Sequence, residues 1–382
     1  MDIKKMEPRT LTEAVKLSDR IFLKEPDQPS MGISFPMIFE PGISHSYGAF
    51  DAENKLASFM GLVPFTIRSG AAMLKVFSVG SVCTDPNHRG KGLAGELLDH
   101  CKAHAKRSGA SLIFVSGARS LYTRAGCRYF GRAMQHRLTL ENMSQLKNRL
   151  KSSYQIREMI SEDIFKIHEL LEKRSSGYVS TVNDLNKLLD ASAFSNVIRL
   201  EQKVLVAEEN GSVKAVAIIG IPGNVMTPSS PPTLIEWAGD NEAAAFILSE
   251  AFNQYAIQEL VVSLPWQDQG LSSILKEAGS EVHDIRNSGT LYLVNGRELI
   301  NQITPILPEE AAGILQAQGE HGPYVYKQGK ETIQLDDEGL LSLLFDPQSP
   351  YRKAAEESGN TEDHQFTLRP IPLPYTEGLH YI

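Results

Sequence analysis

The sequence predicts an α/β (α+β) protein made of two similar halves and a small α+β tail. Three observations predict it. Apolar runs of strand length alternate with amphipathic helical stretches through most of the chain. The order of these segments before about residue 130 is repeated after about residue 155. Beyond Asn301 the pattern shrinks to one hairpin and one short helix. A length of 382 residues accommodates two or three such units.

The elements follow in order. Ile3 to Met6 is a short strand candidate, and Leu11 to Leu23 has helical spacing. Ser46–Phe50, Ala57–Arg68 and Met73–Cys83 read as strands, separated by turns at Asp51-Ala52-Glu53-Asn54 and Ser69-Gly70. An amphipathic helix then carries Leu93, Ala94, Leu97, Leu98, Cys101 and Ala105 on one face and stops at Ser108-Gly109. Leu112–Val115 is a buried-strand run, and a short helix with Leu121 and Tyr122 ends at Gly126. Asn142 to Ser153 is polar and lysine-rich without strong structure signals, so a boundary is placed there. Ile156-Arg157-Glu158-Met159 then echoes Ile3-Lys4-Lys5-Met6. A helix over Ile164–Lys173 follows, with strands at Lys203–Glu208 and Val213–Ile221. After a Pro/Gly/Ser-rich loop, Pro222–Pro232, come a strand at Leu234–Trp237, a helix at Glu242–Tyr255 and a strand at Leu260–Leu264. In the tail, Val325–Lys327 and Thr332–Leu335 form a hairpin around Gly329, and Asp337 caps a helix at Leu340–Phe345. The expected units are 1–145, 146–300 and 301–382.

Composition narrows the function classes. Hydrophobic residues are 42% and charged residues 22%, as in ordinary globular proteins. A formal net charge of -8 argues against nucleic acid, whose binders need a basic face, and suits a cationic partner such as an amine. Cys83, Cys101 and Cys127 form neither a metal-ligand spacing nor a disulfide framework, so no metal is expected. The N-terminus has no apolar signal core, and no apolar run nears the roughly 20 residues of a membrane span. A cytoplasmic protein without membrane partners is expected, and a homo-oligomer is compatible with the sequence.

The chemistry concentrates in Val82-Cys83-Thr84-Asp85-Pro86-Asn87-His88-Arg89-Gly90-Lys91-Gly92-Leu93-Ala94. A strand ends near Thr84, Pro86 turns the chain, and a helix starts near Gly92. Gly90 and Gly92 let backbone N–H groups converge, and the helix start leaves about four more without partners. With the helix dipole and the charges of Arg89 and Lys91, this is a pyrophosphate site. No Gly-Lys-Ser/Thr follows at P-loop spacing, and the Gly-x-Gly-x-x-Gly spacing is absent.

Arg89, Gly92 and Ala94 resemble the Arg/Gln-x-x-Gly-x-Gly/Ala coenzyme-A loop of the GNAT superfamily of acetyltransferases. The repeated halves make the wider chain similar to tandem-GNAT, Eis-like (enhanced intracellular survival) acetyltransferases. That resemblance implies two tandem GNAT-like domains with central mixed sheets, the first active and the second degenerate. It also implies a small C-terminal α+β domain resembling a sterol-carrier fold.

The implied co-substrate is acetyl-CoA, gripped by Arg89, Gly90, Lys91, Gly92, Leu93 and Ala94 after Thr84. The implied reaction is direct attack of an amine on an acyl thioester. Leu121-Tyr122-Thr123-Arg124-Ala125-Gly126-Cys127 resembles the family's helix bearing a tyrosine near the coenzyme sulfur, which makes Tyr122 the general acid. Backbone N–H groups of Val82 and Cys83 are the implied oxyanion donors. The base is open. Many relatives use a glutamate in the strand before the loop, but Phe77–Cys83 carries no carboxylate. Glu40 and His45 lie in the segment that would wall the acceptor site, and the family's terminal carboxylate, here that of Ile382, is a third candidate. In the second half the corresponding turn is Ala238-Gly239-Asp240-Asn241-Glu242, whose carboxylates oppose a pyrophosphate. Trp237 and Trp266 are core residues or line the acceptor cleft. An aminoglycoside, polyamine or lysine side chain suits the acidic balance. The rival reading is a catalytically decayed acyl-CoA-binding sensor or scaffold.

Overall fold

The computed structural model describes residues 1–150, 153–307, 313–328, 331–352 and 368–382. The first stretch runs β1 (Asp2–Lys5), α1 (Leu11–Phe22), α2 (Met31–Ser34), α3 (Pro36–Phe39), β2 (Tyr47–Phe50), β3 (Leu56–Ser69) and β4 (Ala72–Thr84). It continues with α4 (Leu93–Arg107), β5 (Leu112–Val115), α5 (Ser120–Arg124) and β6 (Arg132–Thr139). The middle opens with α6 (Leu140–Arg149), β7 (Gln155–Glu158), α7 (Ile164–Glu172), β8 (Ser176–Tyr178), α8 (Val182–Ala191) and α9 (Ala193–Ile198). It proceeds through β9 (Glu201–Glu209), β10 (Ser212–Ile221), β11 (Thr233–Gly239), α10 (Asn241–Gln254), β12 (Glu259–Pro265), α11 (Gln269–Glu277), β13 (Glu281–Arg286) and β14 (Thr290–Leu293). The tail adds α12 (Gly296–Ile303), β15 (Leu315–Ala317), β16 (Tyr324–Gln328), β17 (Glu331–Leu335) and α13 (Asp337–Phe345).

Two mixed sheets dominate. The first has the order β1-β2-β3-β4-β5-β14, with β8 added on β3. The second has the order β7-β9-β10-β11-β12-β6-β13. Among the described residues only β4–β5 and β11–β12 are parallel; the other pairs in these two sheets are antiparallel. The repeated segment order is therefore a repeated strand order. The strand pairing also crosses the expected boundaries. β6, from the first stretch, lies between β12 and β13, while β14 from the middle lies beside β5. Each half closes its sheet with a strand from the other. The tail forms a separate antiparallel sheet, β15-β16-β17.

The helices pack as their apolar spacing requires. α4 buries Leu93, Leu97, Leu98, Cys101 and Ala105 against the first sheet. Full burial of one such leucine contributes about 1.5–3 kcal/mol. The helix stops at Gly109, whose φ of 71° only glycine adopts freely, and the Ala110 N–H bonds back to Ala105 O at 3.0 Å.

Three sequence expectations change. The polar stretch after Asn142 is largely helical: α6 buries Met143 and Leu146, and its polar composition hid that narrow stripe. The cap of α13 is Asp336, whose carboxylate accepts the Gly339 N–H at 2.8 Å, rather than Asp337. Asn301, expected to open the tail, lies inside α12. Gly329, the expected hairpin turn, lies outside the described residues.

Candidate active site

β4 carries a bulge where the site forms. Phe59 pairs with Cys83 and Gly61 with Gly80, so Met60 faces two residues of β4. Ser81 takes the distortion with φ 49°, and its buried Oγ has no hydrogen-bond partner among the described residues. Below the bulge, Val76–Val79 pair in parallel with Leu112–Val115. Above it β4 and β5 part, and a cavity of about 310 Å³ opens between Gly80–Val82 and Ser116–Gly117.

The chain end enters this opening. The Ser116 hydroxyl donates to the Ile382 carboxyl oxygen at 2.6 Å. The carboxyl carbon lies so close to Gly80 that a Cβ there would meet it at 2.5 Å. Only glycine leaves room for the terminal carboxylate at the bulge.

Tyr122, on α5, lines the same cavity and is 7% exposed. Burial pushes its phenol up to about 12, with nearby Arg119 opposing the shift. Its hydroxyl has no side-chain hydrogen-bond partner among the described residues. The residue expected as the acid and one of the three base candidates therefore line the same cavity.

The other two candidates sit elsewhere. Glu40 is paired with Lys187 at 2.5 Å on the surface. His45 bonds His104 at 3.1 Å, its pKa lowered by burial and by Lys5, and lines a second cavity of about 440 Å³ with Phe77 and His380. Of the expected oxyanion positions, Val82 faces the first cavity. Cys83 turns into the core against Ser18 at 3.6 Å, where burial pushes its thiol up to about 11.

The loop beyond β4 is open. Gly90 and Gly92 have φ of 78° and 80°, and a Cβ on either would meet nothing within 4 Å. Gly92 is the N-cap of α4, which leaves the first helical N–H groups of Leu93 and Ala94 without intrahelical acceptors. Arg89 and Lys91 are exposed beside them. Asp85 is turned away, pairing with Arg20 at 2.5 Å and accepting the Asn87 N–H at 2.9 Å. Thr84 bonds Ser58 at 2.7 Å and fixes the strand end. Left-handed glycines, empty space and a 15-residue helix aimed from its N-terminus fit a pyrophosphate.

Residues 2–130 match the family described as Acetyltransferase (GNAT) domain. This segment is a GNAT acetyltransferase domain. The chemistry of such a domain is acyl transfer from coenzyme A. No curated protein matches the chain in sequence. Solved structures share its fold. A GCN5-related N-acetyltransferase from Anabaena variabilis is 13% identical, with TM-score 0.60, covering 97% of this chain and 98% of that one. Eis1 from Mycobacterium abscessus is 13% identical, with TM-score 0.58, over 88% of this chain and 85% of that one. A GCN5-related N-acetyltransferase from Kribbella flavida is 15% identical, with TM-score 0.57, over 83% and 75%.

The half that follows the GNAT domain has a matching parting of strands. β11 and β12 pair at Thr233–Val261 and then separate. Arg174 stands in that gap, bound to Glu236 and, at 2.9 Å, to Asp268. One half-buried cation serves two half-buried carboxylates. Burial opposes the charge of Arg174, but Asp268 and Glu236 outweigh it and raise the guanidinium pKa. At Glu236 burial outweighs the pull of Arg174, and the carboxyl is raised. Neutral donors supply the rest: Trp237 Nε1 reaches Asp268 at 3.1 Å, and the Leu379 backbone N–H reaches Glu236.

This network holds the chain end on its way to the GNAT domain. Gln267 donates to Leu373 O at 2.8 Å, and Asn287 donates to Pro374 O at 3.1 Å. Gly378 passes so close that a Cβ would meet Glu236 Oε2 at 2.6 Å. Beyond it, Tyr381 packs between Phe35 and Phe194. The proline-rich ending, Arg369-Pro370-Ile371-Pro372-Leu373-Pro374 and beyond, is thus anchored by these contacts. Trp237 is a buried member of this cluster, and Trp266 does not line the first cavity. The sequence reading missed Ser81, Ser116, Gly80 and Arg174. The Gly80-Ser81 pair inside an apolar strand was the available signal for a bulge.

Among the described residues no group of His, Cys, Asp and Glu could hold a metal ion. Nor is any helix among them long and apolar enough to cross a membrane.

Proposed function

We propose that the chain moves an acetyl or other short acyl group from acetyl-CoA to a primary amine, by direct attack of the amine on the thioester. The observation that carries this reading is the meeting of the Tyr122 phenol and the Ile382 carboxylate in one cavity at the β4 bulge. The open loop at Arg89–Ala94 supports it, as the grip for the pyrophosphate. The thioester supplies the acyl group.

The Ile382 carboxylate takes a proton from the substrate ammonium, which is neutral in well under roughly 1% of molecules at pH 7. The freed lone pair forms the C–N bond as the C–S bond breaks. Tyr122 gives its proton to the departing sulfur. The second proton leaving nitrogen restores the phenol, and the carboxylate releases its own to solvent. Products are an N-acylamine, the free thiol and one proton. The Val82 N–H is the donor toward the carbonyl oxygen.

The test is thiol release from acetyl-CoA with a panel of amines. Tyr122→Phe should lower kcat about 100-fold with coenzyme Kd unchanged. Gly80→Ala, which evicts the terminal carboxylate, should lower kcat by a similar factor. Wild-type kcat in either variant overturns the assigned role. Coenzyme binding without turnover for every amine favours the sensor reading, for which the lack of a carboxylate in Phe77–Cys83 speaks.

A further inference from the structure

We infer that the acceptor is a monoamine with an apolar body, not a polycation. This rests on the acyl-transfer reading above. One group of residues lining the first cavity comes from the end of α1, from α2 and from α9. Its apolar side chains are Phe22, Leu23, Met31, Phe35 and Val197, and its polar ones, Gln28, Ser34 and Asn196, are all uncharged. Among the described residues, the only charged side chain lining the cavity is that of Arg119, a cation. The sole carboxylate in the lining is therefore the main-chain one of Ile382.

The acids carried by the neighbouring segments are engaged elsewhere. Asp19 accepts from Ser30 Oγ at 2.8 Å and from the Met31 N–H at 2.7 Å. Glu25 pairs with Arg199 at 2.7 Å, and Glu40 pairs with Lys187 at 2.5 Å. None of the three lines the cavity. The acidic balance of the whole chain thus does not reach the acceptor wall. Asn196 uses its Nδ2 on Ser34 Oγ at 3.0 Å and Ala191 O at 2.9 Å, which leaves its Oδ1 to accept one N–H.

The consequence is a difference in desolvation. The reacting ammonium meets one carboxylate and one amide oxygen. A second ammonium on the same molecule would face a wall of apolar and neutral polar side chains that offers it no carboxylate, with Arg119 repelling it. An unpaired buried charge is strongly disfavoured. An alkyl or aryl group in the same place instead gains by leaving water.

The experiment compares hexylamine with 1,5-diaminopentane, nearly isosteric molecules that differ by a terminal methyl against an ammonium. Spermidine and kanamycin are added as polycations. With the full chain and acetyl-CoA, kcat/KM for hexylamine should exceed that for the diamine by at least about tenfold. A diamine or polycation turned over equally well or better overturns the inference and leaves the acyl-transfer reading standing. No turnover with any amine, with the coenzyme still bound, overturns both. Val197→Glu places a carboxylate on the wall at a position 43% exposed, where the fold tolerates it. It should raise the diamine-to-hexylamine ratio about tenfold. An unchanged ratio in the folded variant overturns the placement of the wall.

Discussion

The two halves share a strand order but begin their principal helices differently. In the first half α4 starts at Gly92, with open space around both loop glycines. In the second half α10 starts behind Asp240, whose carboxylate accepts the Ala243 N–H at 2.9 Å. Gly239 just before it is packed so tightly that a Cβ would lie 2.2 Å from Lys214 O. One helix start leaves its first donors uncapped; the other satisfies one of them with its own N-cap side chain. A single N-cap carboxylate is enough to convert an anion site into an ordinary helix terminus. The partings between parallel strands differ in the same sense. The first holds a cavity with the chain's terminal carboxylate, while the second is filled by an ion network that grips the approaching chain.

The largest test of that contrast is Arg174→Met. It leaves the half-buried Glu236 and Asp268 carboxylates without a cation, and should lower the unfolding free energy by about 3 kcal/mol. Denaturant titration measures it, and a loss below about 1 kcal/mol would show that the network does not hold the second half together.

Gly92→Asp gives the first half the second half's device. A carboxylate at the helix start, on a residue forced to φ 80°, should weaken coenzyme binding at least about 100-fold. An unchanged Kd by calorimetry, in a variant with native circular dichroism, refutes the pyrophosphate placement.

Acid probes the exchanged strand. His136 on β6 lies between Ser280 and Ser272, and burial lowers its pKa to about 4. Its folded pKa is below the unfolded value near 6.5, so the unfolded chain binds more protons between those limits. Stability is therefore present at neutral pH and falls as the pH drops through this window, by about 2 kcal/mol between pH 7 and pH 5. His136→Gln should flatten that part of the stability profile; an unaltered profile assigns the loss to other groups. The smallest effect is expected for Asp240→Ala. It should cost about 1 kcal/mol of stability, as for an ordinary N-cap, and leave coenzyme Kd untouched.

Much of the fold was legible because its elements are long and regular. α1, β3, β4, α4, β10 and α10 carry apolar periods extending over nine or more residues, and each lies within a residue or two of its expected span. The loop at Arg89–Ala94 was legible because glycine spacing and a helix start are local facts. Tyr122 and Ile382 were reached through resemblance, and their meeting was not readable from spacing. α2 and α9, which line the first cavity, are four and six residues long, too short to show a period. β14 has four residues and β6 alternates irregularly around a buried histidine, so neither announces which sheet it joins.

The sequence by itself determined the order of the long helices and strands, the repeat and the coenzyme-loop resemblance. Those depend on interactions within a turn of helix or a strand pair. Tertiary structure alone decided that β6 and β14 change places and that Arg174, Glu236 and Asp268 form one cluster. It also decided that the last residue reaches Gly80 and Ser116. These contacts join distant positions whose selection rests on packing volume and charge compensation, quantities that no local pattern carries.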